Sequence, residues 1–118
     1  MISGLFIYAT SDMCGNEVHA EELSPDNKHR AVVFQRDCGA TTGFSTQISI
    51  VGADDELENE SGNIFIISGH PDETSPVVRW ISNSELNIEN NLSGLAHKKE
   101  ASWGFINKIK VSYGAGSS

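Results

Sequence analysis

The chain is short of cysteine, of proline and of basic residues, and it contains no long apolar run. Cys14 and Cys38 are its only cysteines among 118 residues, with no Cys-x-x-Cys, no His-x-His and no paired Cys/His cluster. Tetrahedral metal sites draw on close-set ligand pairs, so nothing in the spacing points to a metal, and no cofactor is expected. No stretch approaches the ~20 apolar residues that a membrane-crossing helix needs, so membrane insertion is not expected. Eight Lys and Arg stand against sixteen Asp and Glu, a formal net charge of -8 at pH 7. That balance disfavours nucleic acid and anionic membrane surfaces as partners. Gly-x-Gly-x-x-Gly, a Lys-Ser or Lys-Thr phosphate loop and Gly-x-Ser-x-Gly are all missing, which removes the common nucleotide and hydrolase fingerprints.

What is present is a series of short strand patterns. Residues 30–35 and 44–51 read as two strands of a hairpin, joined through Asp37-Cys38-Gly39-Ala40-Thr41-Thr42-Gly43. In the second, Phe44, Ile48 and Ile50 share one parity and Ser45, Gln47 and Ser49 the other, as a half-buried strand requires. Ser24-Pro25-Asp26-Asn27 is a turn signal leading into the first, because proline presets φ while Asp and Asn tolerate the left-handed region. Residues 63–67, apolar on both faces, predict a third strand in the middle of a sheet. Residues 77–81 place Val78 and Trp80 on one face, and a turn at 82–84 leads into residues 85–89. There the alternation predicts Leu86 and Ile88 inside and Glu85, Asn87 and Glu89 outside.

Residues 103–113 predict a last strand. Residues 2–9 read as a first strand rather than a secretion signal, since no Lys or Arg precedes them and Asp12 follows. Residues 12–22 and 95–102 are polar and read as connections. Six or seven short strands, with no convincing helix, predict an all-β fold, a small antiparallel β-sandwich or open barrel. Residues 1–113 make one β domain, and 114–118 a flexible Gly-Ser tail.

Asp54, Asp55, Glu56, Glu58 and Glu60 put five acids into seven residues. A core cannot hold that charge, so the segment is expected to be an exposed loop or a short frayed helix. Asp72 and Glu73 add charge in a second turn cluster, and both sets are candidate partner-binding residues. The histidines, His19, His29, His70 and His97, lie in polar or turn contexts, none paired at a ligand or triad spacing. Cys38, beside Asp37, is an imaginable nucleophile, but an acidic chain offers a thiolate little cationic support, and a structural cysteine is the plainer reading. Cys14 and Cys38 permit one disulfide, contributing roughly 3 kcal/mol by loop-closure arithmetic. The alternative is two free, partly buried thiols. Trp80 and Trp103 lie in strand patterns where a core role outweighs an exposed ligand platform. Arg79, on the face opposite Trp80, is expected in solvent or paired with an acid.

Four runs carry a resemblance: Cys14-Gly15-Asn16-Glu17, Ser24-Pro25-Asp26, Arg36-Asp37-Cys38-Gly39-Ala40-Thr41-Thr42-Gly43-Phe44-Ser45-Thr46-Gln47-Ile48-Ser49-Ile50 and Gly62-Asn63-Ile64-Phe65. Over residues 14–90 the chain resembles a family of small, uncharacterised bacterial proteins. The resemblance implies an exported or membrane-anchored protein with the motif cysteines in an oxidising compartment. It implies no activity and no catalytic residue, and the chain departs from the family in lacking a clear signal.

Two function classes follow. The first is a non-enzymatic, cytoplasmic acidic binder of a basic protein partner, such as an immunity protein that neutralises a bacterial nuclease toxin. Its carboxylates would meet Lys and Arg in place of phosphates, with charge raising the encounter rate. The second is an envelope-associated, periplasmic or lipoprotein-like accessory domain, supported by the Cys14 to Cys38 bridge and the apolar start.

Overall fold

The turn after Leu23 sets the first hairpin. In a computed structural model that describes residues 14–38, 44–69, 71, 76–89, 96–104 and 108–114, strands β1 (Gly15–Leu23) and β2 (His29–Asp37) pair antiparallel across it. Ser24 Oγ donates to Asp26 Oδ1 at 2.7 Å and accepts from the His29 amide at 3.1 Å, while Asn27 takes φ 60°. The Ser24 hydroxyl holds the Asp26 carboxyl below its ordinary value of 3.8. β1 takes up most of residues 12–22, which read as a polar connection, and ends one residue beyond them. Eight of its nine residues are exposed, so no buried face imposed an alternation.

β2 pairs in turn with β3 (Phe44–Gly52), from His29 opposite Gly52 to Asp37 opposite Phe44. β4 (Phe65–Ser68) and the two-residue β7 (Lys98–Lys99) complete a five-stranded sheet in the order β1-β2-β3-β4-β7. The strand expected at residues 63–67 is observed at Phe65–Ser68, between β3 and β7 and so inside the sheet, as its two apolar faces require. A second sheet, ordered β5-β6-β9-β8, contains β5 (Val77–Ser82), β6 (Glu85–Glu89), β8 (Ser102–Trp103) and β9 (Ile109–Tyr113). The fold is a β-sandwich with nine short strands among the described residues, more than the six or seven expected.

Two expected features change. The expected last strand is two strands: β8 ends before Gly104, which takes φ 94°, and β8 and β9 pair antiparallel, Ser102 opposite Lys110. Residues 98–103, read mostly as connection, supply two short edge strands. β9 also pairs parallel with β6, where the other strand pairs among the described residues are antiparallel.

The core lies between the sheets. Ala31, Val33, Ile48, Ile50, Phe65 and Ile67 from the first meet Val78, Leu86, Ile88, Ile109 and Val111 from the second. Tyr113 locks the layers together, its hydroxyl donating to the Glu100 carbonyl at 2.6 Å and lying 3.4 Å from that of Ile64. Asn87 departs from expectation: it is 0% exposed, its Nδ2 donating to Ser112 Oγ at 3.1 Å. Arg79 pairs with Glu89 at 3.4 Å, as its solvent-facing position allows. The strand expected at residues 2–9, the Gly39 to Gly43 part of the turn, His70, Asp72, Glu73 and the tail at 115–118 lie outside the described residues.

Candidate functional site

The acidic segment is a strap laid along the outer face of the five-stranded sheet. Arg30, Val32, Phe34 and Arg36 share that face of β2, opposite the core residues Ala31 and Val33. Near one end Arg30 Nη2 donates to the Asp55 carbonyl, and near the other Arg36 Nη1 donates to Asn59 Oδ1 at 3.0 Å. Val32 and Phe34 lie between those anchors on the same face of β2, and both are 0% exposed. β2 thus buries both faces although one of them looks away from the core.

The far end of the strap is fixed by β1. Asn16 Nδ2 donates to the carbonyls of Glu58 and Glu60 at 3.2 and 3.0 Å, and Asn16 Oδ1 accepts from Arg36 Nη1 at 2.7 Å. Asn59 Nδ2 donates to the Cys14 carbonyl at 3.0 Å, and Cys14 is joined to Cys38 by a disulfide. On the way back the Gly62 amide donates to Gln47 Oε1 at 2.6 Å and the Asn63 amide to Ser49 Oγ at 3.0 Å. Gln47 and Ser49 were expected on the polar, solvent side of β3. They are buried, because the strap covers that side and uses their side chains as its hydrogen-bond partners.

These bonds hold the backbone of the strap and leave its carboxylates outward. Asp54, Asp55, Glu56, Glu58 and Glu60 are all exposed. Among the described residues the ion pairs are Arg30 with Glu21, 3.1 Å, and Arg79 with Glu89, so none of the five acids is neutralised by one. The segment is an exposed loop, as the charge density requires, and not a frayed helix.

The remaining candidates resolve individually. Cys38 is bridged to Cys14, so neither has a thiol to ionise. Trp80 and Trp103 are half-buried against the core, the first donating Nε1–H to the Glu22 carbonyl at 2.8 Å. Trp103 meets the His29 ring edge-on, centroids 5.3 Å apart. Sequence spacing gave no sign of a pairing between Ser68 Oγ and His97 Nε2, 2.8 Å apart. Both residues are exposed, and no acid orients the His97 ring among the described residues, so the pair lacks the third member of an activated nucleophile.

Among the described residues no group of three or more His, Cys, Asp and Glu side chains is arranged to hold a metal, and no helix is long and apolar enough to cross a membrane. No family model, no curated protein and no solved structure matches the chain.

Proposed function

We propose that the protein is a non-enzymatic acidic binding protein that blocks a basic protein partner, as an immunity protein blocks a bacterial nuclease toxin. The observation that carries this reading is the strap: five exposed carboxylates without ion-pair partners among the described residues, on a backbone tied to β1, β2 and β3. A fixed array of charge loses little freedom on binding and keeps its field in one direction, which favours fast, oriented encounter with a cationic surface. The chain's net charge of -8 acts in the same sense.

The test is capture of the partner at low salt, followed by association kinetics with the five strap acids changed to Asn or Gln. Association is expected to slow at least tenfold and to lose most of its salt dependence. Unchanged kinetics would refute the reading. If the partner is a toxic nuclease, co-expression must also restore growth.

The Cys14 to Cys38 disulfide favours a second reading, an accessory domain of the cell envelope, because disulfides persist in oxidising compartments. The first reading places the protein in the cytoplasm and the second in the periplasm. The thiol state of Cys14 and Cys38 in rapidly quenched cells separates them.

A further inference from the structure

The strap is also one wall of a groove. β4 pairs with β3 only from Ser45 to Ile48, and beyond it the end of β3 borders an open channel of about 660 Å³. That volume lies within the ~300–1,000 Å³ of ordinary ligand sites. Asp54, Asp55, Glu56 and Glu58 line it together with His29 and Trp103. Half-buried Val51 contributes an apolar patch. The walls come from separate elements, and each has a feature that a cationic side chain would satisfy. The four carboxylates have no ion pair among the described residues. The indole is held in place by the core on one side and by the His29 ring on another. Among the described residues the buried His29 Nδ1 atom has no hydrogen-bond partner.

We infer that this groove receives an arginine side chain of the basic partner. A guanidinium is planar, bonds carboxylates through two parallel N–H groups and stacks on indole, while its methylene stem covers apolar surface such as Val51. An ammonium is compact and strongly hydrated and offers no plane to stack, so lysine fits this mixture of walls less well. The inference rests on the acidic-binder reading and narrows it from a charged surface to one anchoring residue.

The probes are three blocked tripeptides, acetyl-Gly-X-Gly-amide with X arginine, lysine or norleucine, and one longer peptide carrying six arginines among serines. Each is titrated at low salt into the ¹⁵N-labelled full chain, following the two indole N–H signals. The single-arginine peptide is expected to shift the Trp103 signal saturably, with lysine at least threefold weaker and norleucine without effect. The Trp80 signal, tied to the Glu22 carbonyl, stays in place. Asp54→Asn combined with Glu56→Gln is expected to weaken the arginine peptide at least fivefold, with the rest of the spectrum unchanged as the check on folding. If the six-arginine peptide binds but no peptide moves the Trp103 signal, the groove is overturned and the acidic surface stands. Equal binding of the arginine and lysine peptides overturns the guanidinium assignment. If no basic peptide binds at all, the acidic-binder reading falls, and the groove with it.

Discussion

The side-chain amide of Asn63 does for Ile50 what a neighbouring strand would do. Its Oδ1 accepts from the Ile50 amide and its Nδ2 donates to the Ile50 carbonyl, both at 2.9 Å, just past the point where β4 stops pairing with β3. One carboxamide thereby reproduces the two-bond exchange of an antiparallel pair and ends the ladder without unpaired backbone groups.

Asn63→Ala removes both bonds and leaves Ile50 unsatisfied, an expected loss of about 2 kcal/mol by urea denaturation. Asn63→Asp keeps the acceptor but sets a second carboxylate oxygen against the Ile50 carbonyl. Its protonated form can donate there, so the folded state raises the acid's pKa. The stability this proton provides is present at low pH and lost as pH rises, and the deficit against the parent is expected to shrink between pH 7 and pH 4.

The disulfide and the strap share Cys14. Replacing both cysteines by serine is expected to cost about 3 kcal/mol, since the bridge closes a separation of 24 residues. Because Asn59 holds the Cys14 carbonyl, hydrogen exchange of the strap amides at residues 58–60 should accelerate more than that of β3. Equal acceleration everywhere would show that the bridge acts on the whole fold and not on the strap.

Gly62 sits where the strap touches the sheet most closely. A Cβ there would lie 2.9 Å from the Ile48 carbonyl oxygen and 3.0 Å from both the Ile48 amide nitrogen and Gln47 Cβ. The first two are backbone atoms and cannot turn aside. Gly62→Ala is expected to destabilise by about 1–3 kcal/mol and to break the Gly62 to Gln47 bond, seen as loss of exchange protection at residue 62.

Tyr113→Phe removes the hydroxyl that bridges to Glu100 and Ile64, with an expected cost of about 1 kcal/mol. Burial, and then the charge of Glu100, push the phenol well above its ordinary value of 10.0. The folded state therefore holds this proton more tightly than the unfolded chain. Its contribution is complete below pH 10 and lost as pH rises above it, so the parent should show a fall in stability over that range that Tyr113→Phe reduces.

The sequence by itself determined the all-β class, the two hairpins, the turn at Ser24 and the core faces of β3, β5 and β6. Those features follow from alternation and turn chemistry, which act between residues close in the chain. It also determined that five acids in seven residues must face water. It did not reveal β1, because an edge strand exposed on both faces carries no hydrophobic period, nor the break at Gly104, where one apparent strand gives way to two that pair antiparallel.

What only the tertiary structure decided is where the acidic segment lies. Asn16, Arg36, Gln47 and Ser49 read as ordinary polar surface, and their roles depend on partners 14 to 44 residues away. Alternation records whether a strand face is covered, but not what covers it. Val32 and Phe34 show that β2 is buried twice; that the second cover is a charged loop, with a groove beside Trp103, follows from long-range hydrogen bonds that leave no period in the sequence.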